Sequence, residues 1–133
     1  MTRTRTAATP SEPREHALSI RIDLACGTRI GPGKIALLEA IAREGSISAA
    51  GRALRMSYRR AWELVESLNS GLGAPVVATS AGGSGGGGAR LTAVGAAVVE
   101  HYRAIEAEAA AAAKRHVAAI GQVAADMTGD QSR

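Results

Sequence analysis

Residues 45–62 read Gly45-Ser46-Ile47-Ser48-Ala49-Ala50-Gly51-Arg52-Ala53-Leu54-Arg55-Met56-Ser57-Tyr58-Arg59-Arg60-Ala61-Trp62. Two short helical patterns meet there with almost no connector. Each begins at a serine, Ser46 and Ser57, a favoured N-cap because its oxygen accepts from free N–H groups of the first turn. In the first pattern Ile47, Ala50 and Leu54 fall at i, i+3 and i+7, one helical face. In the second, Ala61, Val65, Leu68 and Leu72 do the same. Arg55-Met56 between them leaves room only for a tight corner. Two helices joined so closely form a helix-turn-helix, whose second helix enters the DNA major groove.

The charges sharpen this reading. From Arg43 to Arg60 there are five arginines and one glutamate, Glu44, an excess of four that equals the formal net charge of +4 for all 133 residues. Arg59 and Arg60 fall in the first turn of the second helix. Cations at that positive end cost roughly 0.3–1 kcal/mol each. A helix that had only to be stable would carry Asp or Glu there. A polyanion meeting that end accounts for the cost, and a merely solvated arginine face is the alternative. Tyr58, beside Arg59, is placed for a base or phosphate contact or for the core. Trp62, one turn behind, reads as a core anchor.

Outward from this stretch, Lys34 to Glu44 is a helical run with Ile35, Leu38 and Ile41, plus Leu37 and Ala42, on its apolar side. Gly45 is its stop. Leu18 to Leu24 alternates apolar and polar, the period of a half-buried strand ended by Cys26-Gly27. After Gly71 and Gly73 come a strand candidate, Val76–Thr79, the glycine tract 82–88, and Ala89-Arg90-Leu91-Thr92. Strand, glycine loop and strand make a hairpin, and a hairpin after a recognition helix is a wing along the sugar–phosphate backbone. Glycine lets backbone N–H groups approach phosphates closely. A plain linker is the alternative. The tract formally contains G-x-G-x-x-G, but a helix does not follow it directly and no Lys-Ser or Lys-Thr comes after, so a nucleotide loop is rejected.

From Thr92 a helical pattern runs to about Ile120, roughly 40 Å at 1.5 Å per residue. Val98, Tyr102, Ile105, Ala109 and Ala112 alternate steps of four and three, a coiled-coil-like seam. That spacing makes Val98, Tyr102, Ile105 and Ala109 the expected homodimer interface. A stable exposed alanine helix is the competing explanation.

Composition limits the other classes. There is no Phe, one Trp and two Tyr, so aliphatic residues and alanine fill a modest core. Cys26, the sole cysteine, excludes an internal disulfide, fits a reducing compartment and reads as a buried structural thiol. No apolar run reaches the roughly 18 residues of a membrane helix, and no secretory signal is apparent, so a cytoplasmic protein without membrane contact is expected. His16, His101 and His116 are far apart, so neither metal nor cofactor is expected. For want of an acid–base or nucleophile constellation, an enzyme is not expected.

Gly45-Ser-Ile-Ser-Ala-Ala50, Met56-Ser-Tyr-Arg-Arg-Ala-Trp62 and Gly82-Gly-Ser-Gly-Gly-Gly-Gly-Ala-Arg-Leu-Thr92 resemble the N-terminal DNA-binding domain of the molybdate-responsive ModE family of bacterial transcriptional regulators. The resemblance covers about residues 18–110. It implies a winged helix-turn-helix that dimerises through its long C-terminal helix, with Ser57, Tyr58, Arg59 and Arg60 as recognition contacts and 82–88 as the wing. Ser84 stands where the family often carries a wing lysine. Full-length relatives continue into oxyanion-binding barrels, whereas this sequence stops after the long helix. The expectation is therefore a link to molybdenum or oxyanion metabolism without the chain's own molybdate-binding domain, any effector signal coming from a separate sensing protein. LysR-type regulators share the helix layout.

The sequence thus predicts a mainly α protein with a small β-wing: a winged helix-turn-helix with a long C-terminal dimerisation helix. Residues 1–16 are a disordered basic tail, 17–91 the DNA-binding domain, 92–120 the dimerisation helix and 121–133 a second disordered tail. The function expected is sequence-specific duplex-DNA binding and transcription regulation as a homodimer. Ser46, Ser57, Tyr58, Arg59, Arg60, Ser84 and Arg90 are the expected DNA-facing residues. A winged-helix protein-interaction module, or a LysR-like DNA-binding domain lacking an effector domain, are the competing readings.

Overall fold

The computed structural model describes residues 15–83 and 86–131. In chain order its elements are β1 (Ile22–Asp23), β2 (Arg29–Ile30), α1 (Pro32–Glu44), α2 (Ile47–Ala53), α3 (Tyr58–Leu72), β3 (Val77–Gly83), β4 (Gly86–Leu91) and α4 (Ala93–Gln131). β1 pairs antiparallel with β2, and β3 with β4. One compact unit spans Ser19–Glu108; of the described residues the other takes in 15–18 and α4 from Ala109 onward.

The first unit holds the core. α1 starts after Gly31 with Pro32 in its first turn, where proline's missing N–H leaves no bond unmade. It buries Ile35, Leu37, Leu38, Ala40 and Ile41, so its apolar face includes Ala40, and Ala42 is exposed. Gly45 ends it in the left-handed region at φ 83°, its N–H donating to the Ile41 carbonyl. α2 adds Ile47 and Ala50, and α3 adds Ala61, Val65 and Leu68. Ile30, Val76, Val77, Ala89 and Tyr102 complete the cluster.

Three sequence expectations change here. The strand over 18–24 contracts to Ile22–Asp23 and has a partner, Arg29–Ile30, that the sequence did not suggest. Cys26 sits in the turn of that hairpin and is exposed, not a buried structural thiol. A turn residue has no second layer to cover it, and hydrogen bonding to Thr28 lowers its thiol pKa. The helix expected to stop near Ile120 continues through Gln131. Ala, Val, Gln and Met beyond Gly121 are compatible with helix, and no proline intervenes. Ile120, Val123 and Met127 in that distal part are exposed. Most of the expected N-terminal tail, residues 1–14, lies outside the described residues, as do 132–133.

β3 and β4 form the wing. Their pairing runs from Val77↔Leu91 to Gly83↔Gly86, with an irregularity between Ser80 and Gly83. The glycine tract is therefore largely strand and not a long loop. A ladder needs backbone donors and acceptors and not side chains, so glycines can pair at an entropic cost. At the wing's foot the Thr92 N–H donates to Val76 O at 3.0 Å, and the Thr92 hydroxyl donates to Pro75 O at 2.7 Å. The same hydroxyl oxygen accepts from the Gly95 N–H at 3.0 Å. Thr92 thus caps α4 and ties its start to the wing.

Candidate nucleic-acid interface

The two cap serines behave as their chemistry requires. Ser46 Oγ accepts from the Ala49 N–H and Ser57 Oγ from the Arg60 N–H, each at 3.0 Å. Each removes one orphan donor from a helix start and fixes where the helix begins. Between the helices the Leu54 N–H donates to Ala50 O at 3.1 Å, and the Met56 N–H to Gly51 O at 2.9 Å. Arg55 adopts φ 59°, a left-handed conformation that bulky residues rarely take. That one residue makes the corner. Gly51 makes it close-packed: a Cβ there would lie 3.3 Å from Met56 O and 3.4 Å from Ala61 Cβ.

α3 buries Ala61, Val65 and Leu68, so its opposite side faces outward. Ser57, Tyr58, Arg59 and Arg60 are all exposed in the cap and first turn. The Arg59 side chain is 89% exposed and its Nε lies 3.4 Å from Glu63 Oε2. Such a surface i,i+4 pair is worth a few tenths of a kcal/mol (about 0.3–0.5), so Arg59 can leave Glu63 for a phosphate at little cost. Arg52 and Arg55 are exposed too, on α2 and the corner; Arg52 Nη1 donates to Ser48 Oγ at 2.8 Å. On the wing, Ala89 is buried and Arg90 exposed, as strand alternation demands.

The structure therefore brings together Ser57, Tyr58, Arg59 and Arg60 at one helix start. Ser46 caps the preceding helix, and Arg90 is presented by β4. Ser84 lies outside the described residues. Trp62 departs from its expected place: it is 45% exposed and not a core anchor. Ala61 already fills the core position, and the next residue lies 100° further round a helix. Trp62 instead lines a cleft of about 280 Å³ between α3 and the wing, with Tyr58, Ile47, Thr79 and Gly88 among its other walls.

The expected seam is also redistributed. Tyr102 is 2% exposed and belongs to the core of its own unit. Its hydroxyl donates to Ile20 O at 2.6 Å. Val98 is half-buried and Ile105 is 42% exposed. Both line an apolar groove of about 380 Å³ with Ile22, Leu24 and Leu72. Ala109, in the second unit, is half-buried. Arg103, next to Tyr102, grips the Glu39 carboxylate on α1 through two nitrogens, Nε at 2.9 Å and Nη2 at 2.6 Å. Among the described residues no His, Cys, Asp and Glu side chains gather as a metal site, and no helix is long and apolar enough to cross a membrane.

Residues 33–96 match the lysR family of bacterial regulatory helix-turn-helix proteins. The chain is 50% identical over 81 residues to the molybdenum-pterin-binding protein MopB of Rhodobacter capsulatus, a match covering 61% of this chain and 30% of that one. It is 39% identical over 87 residues to the molybdenum transport protein ModE of Azotobacter vinelandii, covering 65% and 32%. The chain thus spans about a third of the length of the curated relatives it matches. Its fold is similar to the crystal structure of the CbnR_DBD–DNA complex, with a TM-score of 0.51 and 26% identity over 66% of this chain and 95% of that one. The unit that carries Ser57 to Arg60 is a winged helix-turn-helix domain that resembles MopB and ModE in sequence and the CbnR DNA-binding domain in fold.

Proposed function

We propose that the chain is a sequence-specific duplex-DNA-binding transcriptional regulator that acts as a homodimer in the setting of molybdenum or oxyanion metabolism. It is a cytoplasmic binding protein and not an enzyme. The observation that carries the reading is the start of α3. A serine-capped helix presents Tyr58, Arg59 and Arg60 to solvent at its positive end, an arrangement unfavourable in isolation and favourable against a polyanion. The wing beside it offers Arg90 and a glycine-lined edge. The molybdenum setting draws on the names of the ModE and MopB relatives. The dimer draws on the apolar groove beside Val98 and Ile105, a surface that a second copy can cover. A separate sensing partner carries the effector signal.

Gel-shift titration of Arg59→Ala, Arg60→Ala and the double variant on selected and random duplexes tests this. A residue that reads a base loses about 1–3 kcal/mol on the selected site and relaxes its specificity. A residue on phosphate weakens all sequences evenly and flattens the salt dependence. Unchanged affinity in the double variant sinks the assignment of α3 to the major groove.

A further inference from the structure

The cleft between α3 and the wing has an unusual composition. Tyr58 and Trp62 are one turn apart on α3, and both are exposed, at 57% and 45%. Ile47 and Ala89, each nearly buried, line it. Gly87 and Gly88 on β4 give it a wall without side chains. An indole is the most costly side chain to leave half in water, since it offers a large apolar surface to bury. Here it stands beside a backbone wall, on the same helix turns as Arg59 and Arg60.

We propose that this cleft holds a deoxyribose–phosphate segment of one DNA strand, with Trp62 packed on the sugar and Tyr58 directed to the phosphate. The inference rests on the DNA-binding reading and deepens it. Charge complementarity identifies the occupant. Arg52 lies on α2, Arg59 and Arg60 on α3 and Arg90 on β4, all exposed, and Ile47, Tyr58 and Trp62 of the same helices with Gly88 and Ala89 of the same strand line the cleft. The occupant is therefore anionic along its length yet apolar where it meets the indole. A sugar–phosphate strand has both properties, with acidic oxygens outside and C–H faces between them. The side-chain-free stretch at Gly87 and Gly88 admits a polymer backbone that bulkier residues there would exclude. Trp62 then supplies affinity and register, not base reading.

Trp62 is the sole tryptophan, so its emission reports on this cleft alone. Unlabelled wild-type protein is titrated with duplex while fluorescein-labelled duplex reports binding independently by anisotropy. The expected result is quenched indole emission and reduced acrylamide access, saturating with the anisotropy. Trp62→Ala weakens binding about tenfold, as an aromatic anchor at an interface does, and equally on selected and random duplexes. Trp62→Phe recovers part of the loss. Circular dichroism checks that each variant keeps the wild-type helix content, and the wild-type emission arm decides the matter if Trp62→Ala misfolds. Binding by anisotropy with unchanged emission and acrylamide access overturns the inference and leaves the DNA-binding reading standing. Loss confined to one base position overturns the sugar assignment in favour of base reading. Absence of binding by anisotropy overturns both the function and the cleft.

Discussion

The Ala89 N–H donates to Gly45 O at 2.8 Å, so the second wing strand hangs from the residue that ends α1. Gly45 also separates α1 from the Ser46 cap of α2. One left-handed residue thus sets the angle into the helix-turn-helix and the height of the wing. A Cβ at Gly45 meets nothing within 4 Å, so the penalty for Gly45→Ala is conformational alone, about 1–2 kcal/mol. Thermal denaturation is expected to show that loss. DNA affinity is expected to fall further than stability alone explains, because the wing moves with the carbonyl.

Gly95 tests a different constraint. It lies in the first turn of α4, where an added Cβ would collide with the Val76 carbonyl oxygen and stand 3.0 Å from its carbon. The obstacle is backbone and cannot swing aside. Gly95→Ala is expected to cost about 3 kcal/mol, near the upper end for overpacking, although alanine favours helix. A denaturant midpoint equal to or above wild type would show that α4 is not seated on residue 76.

Tyr102 holds the segment before β1 through its bond to Ile20 O. Burial, with Glu106 nearby, pushes its phenol pKa up, so the hydroxyl stays a donor through the neutral range. Tyr102→Phe keeps the packing and removes the bond, at a cost of about 1 kcal/mol. Tyr102→Ala also opens a cavity and costs about 3–5 kcal/mol. Urea denaturation of both variants separates the two contributions.

The helix-turn-helix was legible because its signals are local. Ser46, Ser57 and Gly45 act within one turn of themselves, and Ala61, Val65 and Leu68 repeat on one face. What escaped depends on neighbours distant in sequence. Tyr102 has the same helical phase whether it faces its own domain or a second copy, so spacing alone could not assign it to Ile20. Trp62 looked like core because of its size, yet Ala61 holds the core position and the indole falls beside the wing. Arg29–Ile30 is too short for any periodicity, and its pairing with Ile22–Asp23 shows only in three dimensions. The exposure of Cys26 follows from that unseen hairpin.

The Glu39–Arg103 pair gives the fold a sensitivity to acid. The Arg103 hydrogen bond, ahead of its charge, holds the Glu39 carboxyl below its ordinary value. Because the folded value is depressed, its stabilisation is complete above the unfolded carboxylate pKa of about 4.3 and fades as pH falls through the lower folded value. The side chains are 35% and 45% exposed, so the effect is below about 1 kcal/mol. Glu39→Gln is expected to melt lower than wild type at pH 7 and together with it near the acid end. Parallel melting curves at every pH would remove the pair from the stability account.

Ile105 tests the proposed dimer. With Tyr102 committed to its own core, the surface proposed for a second copy within the first unit is the groove bordered by Val98, Ile105 and Val94, the last 41% exposed. Ile105 is 42% exposed, so Ile105→Asp leaves the core intact and its circular dichroism is expected to match wild type. Within a dimer interface the same carboxylate would lose its water, and burying a charge costs several kcal/mol unless it is fully paired. Sedimentation velocity at micromolar concentration is expected to give a dimer for wild type and a monomer for the variant. DNA binding by the variant is then expected to lose its preference for two-fold symmetric sites while keeping half-site contacts. A wild-type monomer under those conditions, or an aspartate variant that still sediments as a dimer, would place the self-association surface elsewhere and remove the reason to expect a symmetric operator.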